Sequence, residues 1–481
     1  MTDAVGAVAH ERDRKLPFGT KLAYGFGAAA YGIKDNGFAY FLMLFYGTVV
    51  GLEPGLVGLA ILIALCVDAI SDPLVGYWSD NFRSKWGRRH PFMYTAALPI
   101  ALVYFLLWNP PDWSDGALFA YLLGMAVLIR TLITFYEIPS AALMPELTAN
   151  YEDRTSIQAF RFFFGWVVGN LLTLIMWGVL LVATAEYPQG ALNRDGYATY
   201  GIIASVLIFV AIMVSSLGTH SNIKHLRPPP ERKVRTPREI FGEIAQTLRT
   251  RSFGALFLTT IFGQTASGFQ ASLAFLMLSF FWEFSQQQIF IGVSLVFVSA
   301  VIGLLLAPRA VKHLGKKKAV ISIGIVAFTL APLMVALRLL GVLPENGDPL
   351  LFPIIIAVNT IDVGLVIAFQ AIVVSMIADL VEESELRTGR RSEGVFFASI
   401  TFTRKASQGI GAALTGIALS LIAFPQGEAA ISASPATLWA LGAIYVTVLW
   451  VLWSAMLYSI SRYKIDKAQH QENLRRLAEA G

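Results

Sequence analysis

The chain has one cysteine, Cys66, and it falls inside an apolar segment. That excludes an intrachain disulfide and a cysteine-based metal cluster. Histidine is scarce as well, with six residues scattered over 481 positions and no metal-binding spacing among them. No nucleophile and base set stands out, and no polar stretch is long enough for a sizeable soluble domain. The sequence therefore does not read as an enzyme. Charged residues make up only 14% of the chain, against roughly 25% in soluble domains. The N-terminal stretch MTDAVGAVAHERDRKLPFG lacks an apolar core of about 7–15 residues followed by a small-residue cleavage site, so no signal peptide is expected and the first span acts as its own insertion signal.

What fills the chain is apolar. Hydrophobic residues account for 56% and mean hydropathy is +0.61. Apolar runs long enough to cross a ~30 Å hydrocarbon core at 1.5 Å per residue recur near 22–50, 55–78, 91–109, 117–146, 156–184, 197–218, 253–281, 287–310, 318–340, 350–378, 395–424 and 435–461. The expectation is an all-α membrane protein with twelve spans in two six-helix bundles. The loops VGLEPG, PPDWSDG and FPQGEAAISASPA carry no Lys or Arg, whereas NFRSKWGRRH, KHLGKKK and LRTGRR are basic. By the positive-inside rule both termini face the cytoplasm, which requires an even number of spans. The net charge of +5 follows from that topology, so no nucleic-acid partner is expected.

The longest polar interruption, 219–252, contains a Pro-Pro-Pro run and falls almost midway. It divides the chain into a cytoplasmic tail (1–20), a first bundle (21–218), a cytoplasmic linker (219–252), a second bundle (253–462) and a C-terminal tail (463–481). Thr236 and Pro237 mark the start of a short surface helix in the linker. The basic, glycine-containing loops after the second and eighth spans fit a duplicated six-helix unit.

An ionisable group at the bilayer centre costs ~3 kcal/mol or more on insertion scales, so each needs a partner, a water-filled cavity or a function. The spans hold Asp35, Asp68, Asp72, Arg130, Glu137, Arg161, Asp362, Arg404 and Lys405. Asp68 and Asp72 are spaced i,i+4, which puts both carboxylates on one helical face. Their repulsion is relieved by a proton or a cation between them. Ser71 adds an oxygen, and Pro73 frees an upstream carbonyl, both suited to a hard cation. The competing reading is neutralisation by Arg130, Arg161 or Lys405. Thr134 and Glu137 share a face at i,i+3. Glu137 either pairs with Arg130 or meets a polar substrate. Asp362 is either a helix-pairing acid or a pathway group. Lys34 neighbours Asp35 but faces elsewhere. Arg404 points about 100° away from Lys405 and is read as a structural partner. Tyr31, Tyr40, Trp166, Phe269 and Gln270 are aromatic or amide residues suited to a sugar or amphiphile.

Several of these segments resemble the glycoside-pentoside-hexuronide:cation symporter family of the major facilitator superfamily, and the likeness covers essentially the whole chain. The segments are KLAYGFGAAAYGIKD, VDAISDPLVGYWSD with RSKWGRRHPF, FYEIPSAALMPEL, QAFRFFFG and ADLVEESELRTGRRSEG. The resemblance implies the major facilitator fold and import of a sugar or glycoside coupled to Na⁺ or H⁺ by alternating access. It assigns cation binding to Asp68, Asp72, Ser71 and Thr134, and substrate binding to Asp35, Glu137, Arg161 and Lys405. Thr401 and Gln270 complete the expected substrate set. Asp80, Arg83, Arg88 and Arg89, with Asp379, Glu382 and Glu385, are the expected gating charges, set against a role in topology alone. No cofactor and no metal beyond Na⁺ at Asp68 and Asp72 are expected. A small-molecule substrate, contact with membrane lipid, a monomeric state and a bacterial inner-membrane location complete the expectation. The family pattern has Asn at Ser71, Asp at Glu137 and a stacking Trp at Ala141, so galactoside specificity is not carried over. A lysophospholipid or other amphiphile is the alternative substrate on the same fold.

Overall fold

The computed structural model describes residues 15–148, 151–225, 251–388 and 393–463, with side chains at 377–388 and 393–400 outside the description. The chain divides into two compact units, Met1–Arg232 and Lys233–Gly481. The described residues are almost wholly helical and contain no strand, as a lipid environment demands of a chain that must satisfy its own backbone hydrogen bonds.

In the first unit, α1 (Phe18–Phe26) and α2 (Ala28–Asn36) meet at Gly27, and π-helical turns at Gly37–Phe41 and Phe45–Val50 carry the chain to Gly51. The first expected span is thus one bent path of several pieces. Gly51 ends it at φ 88°, a left-handed conformation that only glycine adopts without strain. The unit continues with α3 (Pro54–Asn81), α4 (His90–Leu107), α5 (Asp115–Leu147), α6 (Tyr151–Ile175) and α7 (Arg194–His220). Pro54 starts α3 at a position where a missing N–H costs nothing. Asn193 caps α7 by accepting from Gly196 N–H.

The second unit comprises α8 (Arg251–Leu276), α9 (Gln286–Ser294) running into α10 (Val296–Leu314), α11 (Lys316–Leu339), α12 (Leu351–Thr388), α13 (Glu393–Leu421) and α14 (Pro435–Ser461). A capping box of Ser285 and Gln288 opens α9. Gly315, at φ 76°, separates α10 from α11 within the basic KHLGKKK loop.

Nine of the described helices are long and apolar enough to cross a membrane. The other three expected spans are the bent first one, α8 and α13. In α8 the apolar run is interrupted by Gln264, Thr265, Ser267 and Gln270, and in α13 by Arg404, Lys405, Ser407 and Gln408. The polar residues singled out for function are the ones that weaken the hydropathy signal.

One packing scheme recurs in both units. In the first, α2 packs on α6, α3 on α5, and α4 on α7; in the second, α8 packs on α13, α10 on α12, and α11 on α14. Small residues permit the close contacts. A Cβ at Gly32 would collide with the Gly165 carbonyl, and one at Gly268 with the Gln408 carbonyl. The expected linker helix around 236–248 lies outside the described residues.

Candidate functional site

The most polar helix contact in the first unit joins α3 to α5. Asp68 is 1% exposed, and its Oδ2 lies 3.2 Å from Nη1 of Arg130. Thr134, one turn further along α5, places its hydroxyl 3.1 Å from Asp68 Oδ1 and 3.0 Å from Asp72 Oδ1. The same hydroxyl is 2.9 Å from the Arg130 carbonyl. One hydroxyl carries one proton, so it cannot donate to three acceptors at once. Its remaining lone pairs and the two carboxylates form an oxygen cluster that gains from an added proton or hard cation. Ser71 donates to the Asp68 carbonyl at 3.1 Å. Pro73 lies inside α3, so the Ala69 carbonyl loses its helical donor. Among the described residues no three His, Cys, Asp or Glu side chains converge. The donors are therefore two carboxylates with hydroxyl and carbonyl oxygens, a set for a hard cation.

Arg130 meets the carboxylate pair at Asp68, and Phe38 covers it, with the guanidinium carbon 4.7 Å from the ring centroid. Arg130 Nε is buried and has no hydrogen-bond partner, so the cation is held by Asp68, an aromatic face and little else. Sequence reasoning named Arg130 only as one of several partners, and Phe38 carried no signal at all. Glu137 is half-buried one turn past Thr134.

Arg161 on α6 turns towards α1 and α2. Its guanidinium carbon lies 5.6 Å from the Tyr24 ring centroid and 5.9 Å from that of Tyr31, and Nη1 donates to the Tyr24 hydroxyl at 3.4 Å. Tyr24 was missed by sequence reasoning, since an aromatic in an apolar segment carries no distinguishing mark. Asp35 is 55% exposed and pairs with Lys34 at 2.7 Å. This corrects the expectation that Lys34 faces elsewhere: its stem is buried at 3% exposure, and four methylenes are long enough to swing the ammonium back across the 100° offset between neighbours.

In the second unit, Gln270, Thr401 and Lys405 are half-buried and Arg404 is exposed. Phe269 is fully buried, its ring 6.4 Å from that of Tyr445, so it is core rather than a stacking surface.

Of the expected gating charges, Arg88 and Arg89 converge on Glu146 at 2.8 and 3.2 Å. Arg89 also pairs with Asp80 and donates to Ser79 at 2.8 Å. Glu146 was missed, although it sits at the end of a segment already singled out. Arg83 is exposed. The side chains of Asp379, Glu382 and Glu385 lie outside the described residues. At the same end of the first unit, Asp153 accepts from Leu16 N–H at 2.8 Å and pairs with Lys21. Burial pushes the Asp153 carboxyl up, but the Lys21 hydrogen bond, the Leu16 N–H and the charges of Lys21 and Lys15 outweigh it and hold it below its ordinary value.

The inner membrane symporter YicJ of Escherichia coli K12 is 26% identical over 457 residues, covering 94% of each chain. The isoprimeverose transporter of Lactiplantibacillus pentosus is 22% identical over 469 residues, 94% of this chain and 90% of that one. An uncharacterized Synechocystis symporter, sll1374, is 36% identical over 209 residues, which is 42% of this chain and only 37% of that protein. Among solved structures, the inward-open xylose transporter XylE from E. coli superposes with a TM-score of 0.59 at 13% identity, over 95% of this chain and 98% of that one, a likeness of fold. Since the model of the MFS/sugar transport protein family matches residues 23–467, the chain belongs to that family.

Proposed function

We propose that this membrane protein imports a sugar or glycoside by cation-coupled symport, with Na⁺ or H⁺ entering between Asp68 and Asp72. The observation that carries the reading is the Thr134 hydroxyl lying 3.1 and 3.0 Å from the two carboxylates. Arg130 pairs with Asp68, and the Thr134 hydroxyl lies against both carboxylates. A cation that enters takes Asp72, Thr134 and the freed backbone oxygens as ligands, with Ser71 beside it, and weakens the hold of Arg130 on Asp68. Differential affinity of this kind is what coupling means: by linkage, substrate tightens the cation by the factor the cation tightens substrate.

The substrate contacts are proposed separately for each unit. Asp35, Glu137 and the tyrosine-flanked Arg161 belong to the first; Gln270, Thr401 and Lys405 belong to the second. Carboxylates accept from sugar hydroxyls, whereas the cations and the amide donate to ring and hydroxyl oxygens. The name of the L. pentosus relative supports a glycoside rather than a lipid. Alternating access, proposed from the fold, exposes these contacts to the two sides of the membrane in turn, with both termini in the cytoplasm as the basic loops require.

The test is uptake into proteoliposomes under an imposed Na⁺ or H⁺ gradient. Asp72→Asn is expected to lose cation-driven accumulation and to keep substrate binding measured by calorimetry. Accumulation by that variant at the wild-type level would sink the assignment. Screening glycosides, uronides and lysolipids for thermal stabilisation, with and without Na⁺, identifies the substrate class; stabilisation by lysolipids alone would replace the sugar reading.

A further inference from the structure

The second unit holds an acid that the proposed mechanism leaves unused. Asp362 lies near the middle of the apolar span Leu351–Met376 of α12 and is 3% exposed. Its Oδ1 is buried and has no hydrogen-bond partner. The helix rotation explains where the side chain goes. Gly364 faces α10, packed against Ile302 and the Ser299 carbonyl, and the Ser299 hydroxyl donates to the Thr360 carbonyl at 2.8 Å. Asp362 lies two residues from each, about 200° round the helix, so it faces away from α10.

The charged groups on the helices around it lie elsewhere. Those packed along α12 are α10 and α11. On α10 the charged or titratable residues are Arg309, Lys312 and His313, all past the level of Ser299 and Gly303 that adjoins Asp362; Arg309 is exposed and donates to its own helix at the Leu305 carbonyl. On α11, Lys316, Lys317 and Lys318 stand at one end, with Lys316 at the Ser375 carbonyl, and Arg338 stands at the other beside Asn346. The described part of α8 that reaches Tyr445 carries no charged residue, and neither do α9 and α14. Arg404 and Lys405 are on α13, which packs on α8.

An ionised carboxylate in this position would forgo hydration at mid-membrane with no donor to Oδ1 and, among the described residues, no cation to balance it. The neutral acid removes that penalty. We infer that Asp362 is a proton-binding site, held as the neutral acid and separate from the carboxylate pair of the first unit. Release of the proton requires water or a donor to reach Oδ1, so it is tied to a rearrangement of the helices packed on α12. The protonation state does not depend on what the chain carries; its consequence for transport rests on the symport reading.

The experiment is infrared difference spectroscopy of the purified full chain in nanodiscs, read in the carboxylic-acid C=O region. The wild type is expected to show a protonated-carboxyl band at neutral pH that is lost in Asp362→Asn and retained in Asp362→Glu. Identical wild-type and Asp362→Asn spectra would overturn the proposal. If Asp362→Asn does not fold, an unchanged band in Asp362→Leu overturns it on its own. A protein that shows the band but takes up no sugar contradicts the symport reading and leaves the proton site standing.

Discussion

Two acids of the same type sit in spans of the two units, and their surroundings differ in kind. Asp68, at the α3–α5 contact, has a guanidinium on one oxygen and a hydroxyl on the other. Asp362, on α12, has an oxygen with no hydrogen-bond partner. Both are almost completely buried. The difference teaches that burial alone does not set the role of an intramembrane carboxylate. One built into a charge pair is kept ionised and available for exchange with a mobile cation. One left without a donor is kept neutral and available only to a proton.

The largest effect expected is on the Asp68 pair. Asp68→Leu strands a buried Arg130 and should cost about 3–5 kcal/mol of stability, read as a large drop in thermal unfolding temperature in detergent. Asp362→Leu removes an unpaired polar group and should be neutral or stabilising. Equal destabilisation by the two would break the comparison. Glu146→Gln weakens the tie to two arginines at once and should cost about 2 kcal/mol, visible in the same melt and in increased protease cutting of the 81–90 loop. Thr134→Val keeps the shape and deletes the bridging hydroxyl. It should cost about 1.4 kcal/mol of cation binding, near tenfold in affinity, measured by calorimetry with the coupling ion; unchanged affinity would show that the hydroxyl only packs. The smallest effect is at Asp153, whose carboxyl is held below its ordinary value. A lowered pKa adds stability that is present above the unfolded carboxylate value and lost as pH falls through the folded one. Acidification should therefore release the Leu16 segment, read as faster amide exchange there, and Asp153→Asn should abolish that pH dependence.

Much of this was legible beforehand. Asp68 and Asp72 announced themselves as costly charges at i,i+4 in an apolar run, and Thr134 and Glu137 as a polar face on another helix. The choice among Arg130, Arg161 and Lys405 as the partner of Asp68 was not legible, because it depends on how α3 and α5 are rotated against each other. Lys34 was misread because spacing along a helix gives the direction of a Cβ and not the reach of a long side chain. Phe269 looked like a stacking surface and is core, since α8 turns that face inward against Tyr445.

What the sequence determined by itself is everything that is additive along the chain. Apolar length marked the membrane spans at 1.5 Å per residue, the basic loops gave the orientation expected of them, and the cost of intramembrane charge marked which positions need an explanation. What only the tertiary structure decided is which groups satisfy those charges. Asp68 and Arg130 are 62 residues apart in sequence and 3.2 Å apart in space, and Asp362 finds no donor for its Oδ1 among the described residues. Hydrogen bonds and ion pairs act over about 3 Å, so they are settled by helix rotation and side-chain reach, neither of which composition or spacing can supply.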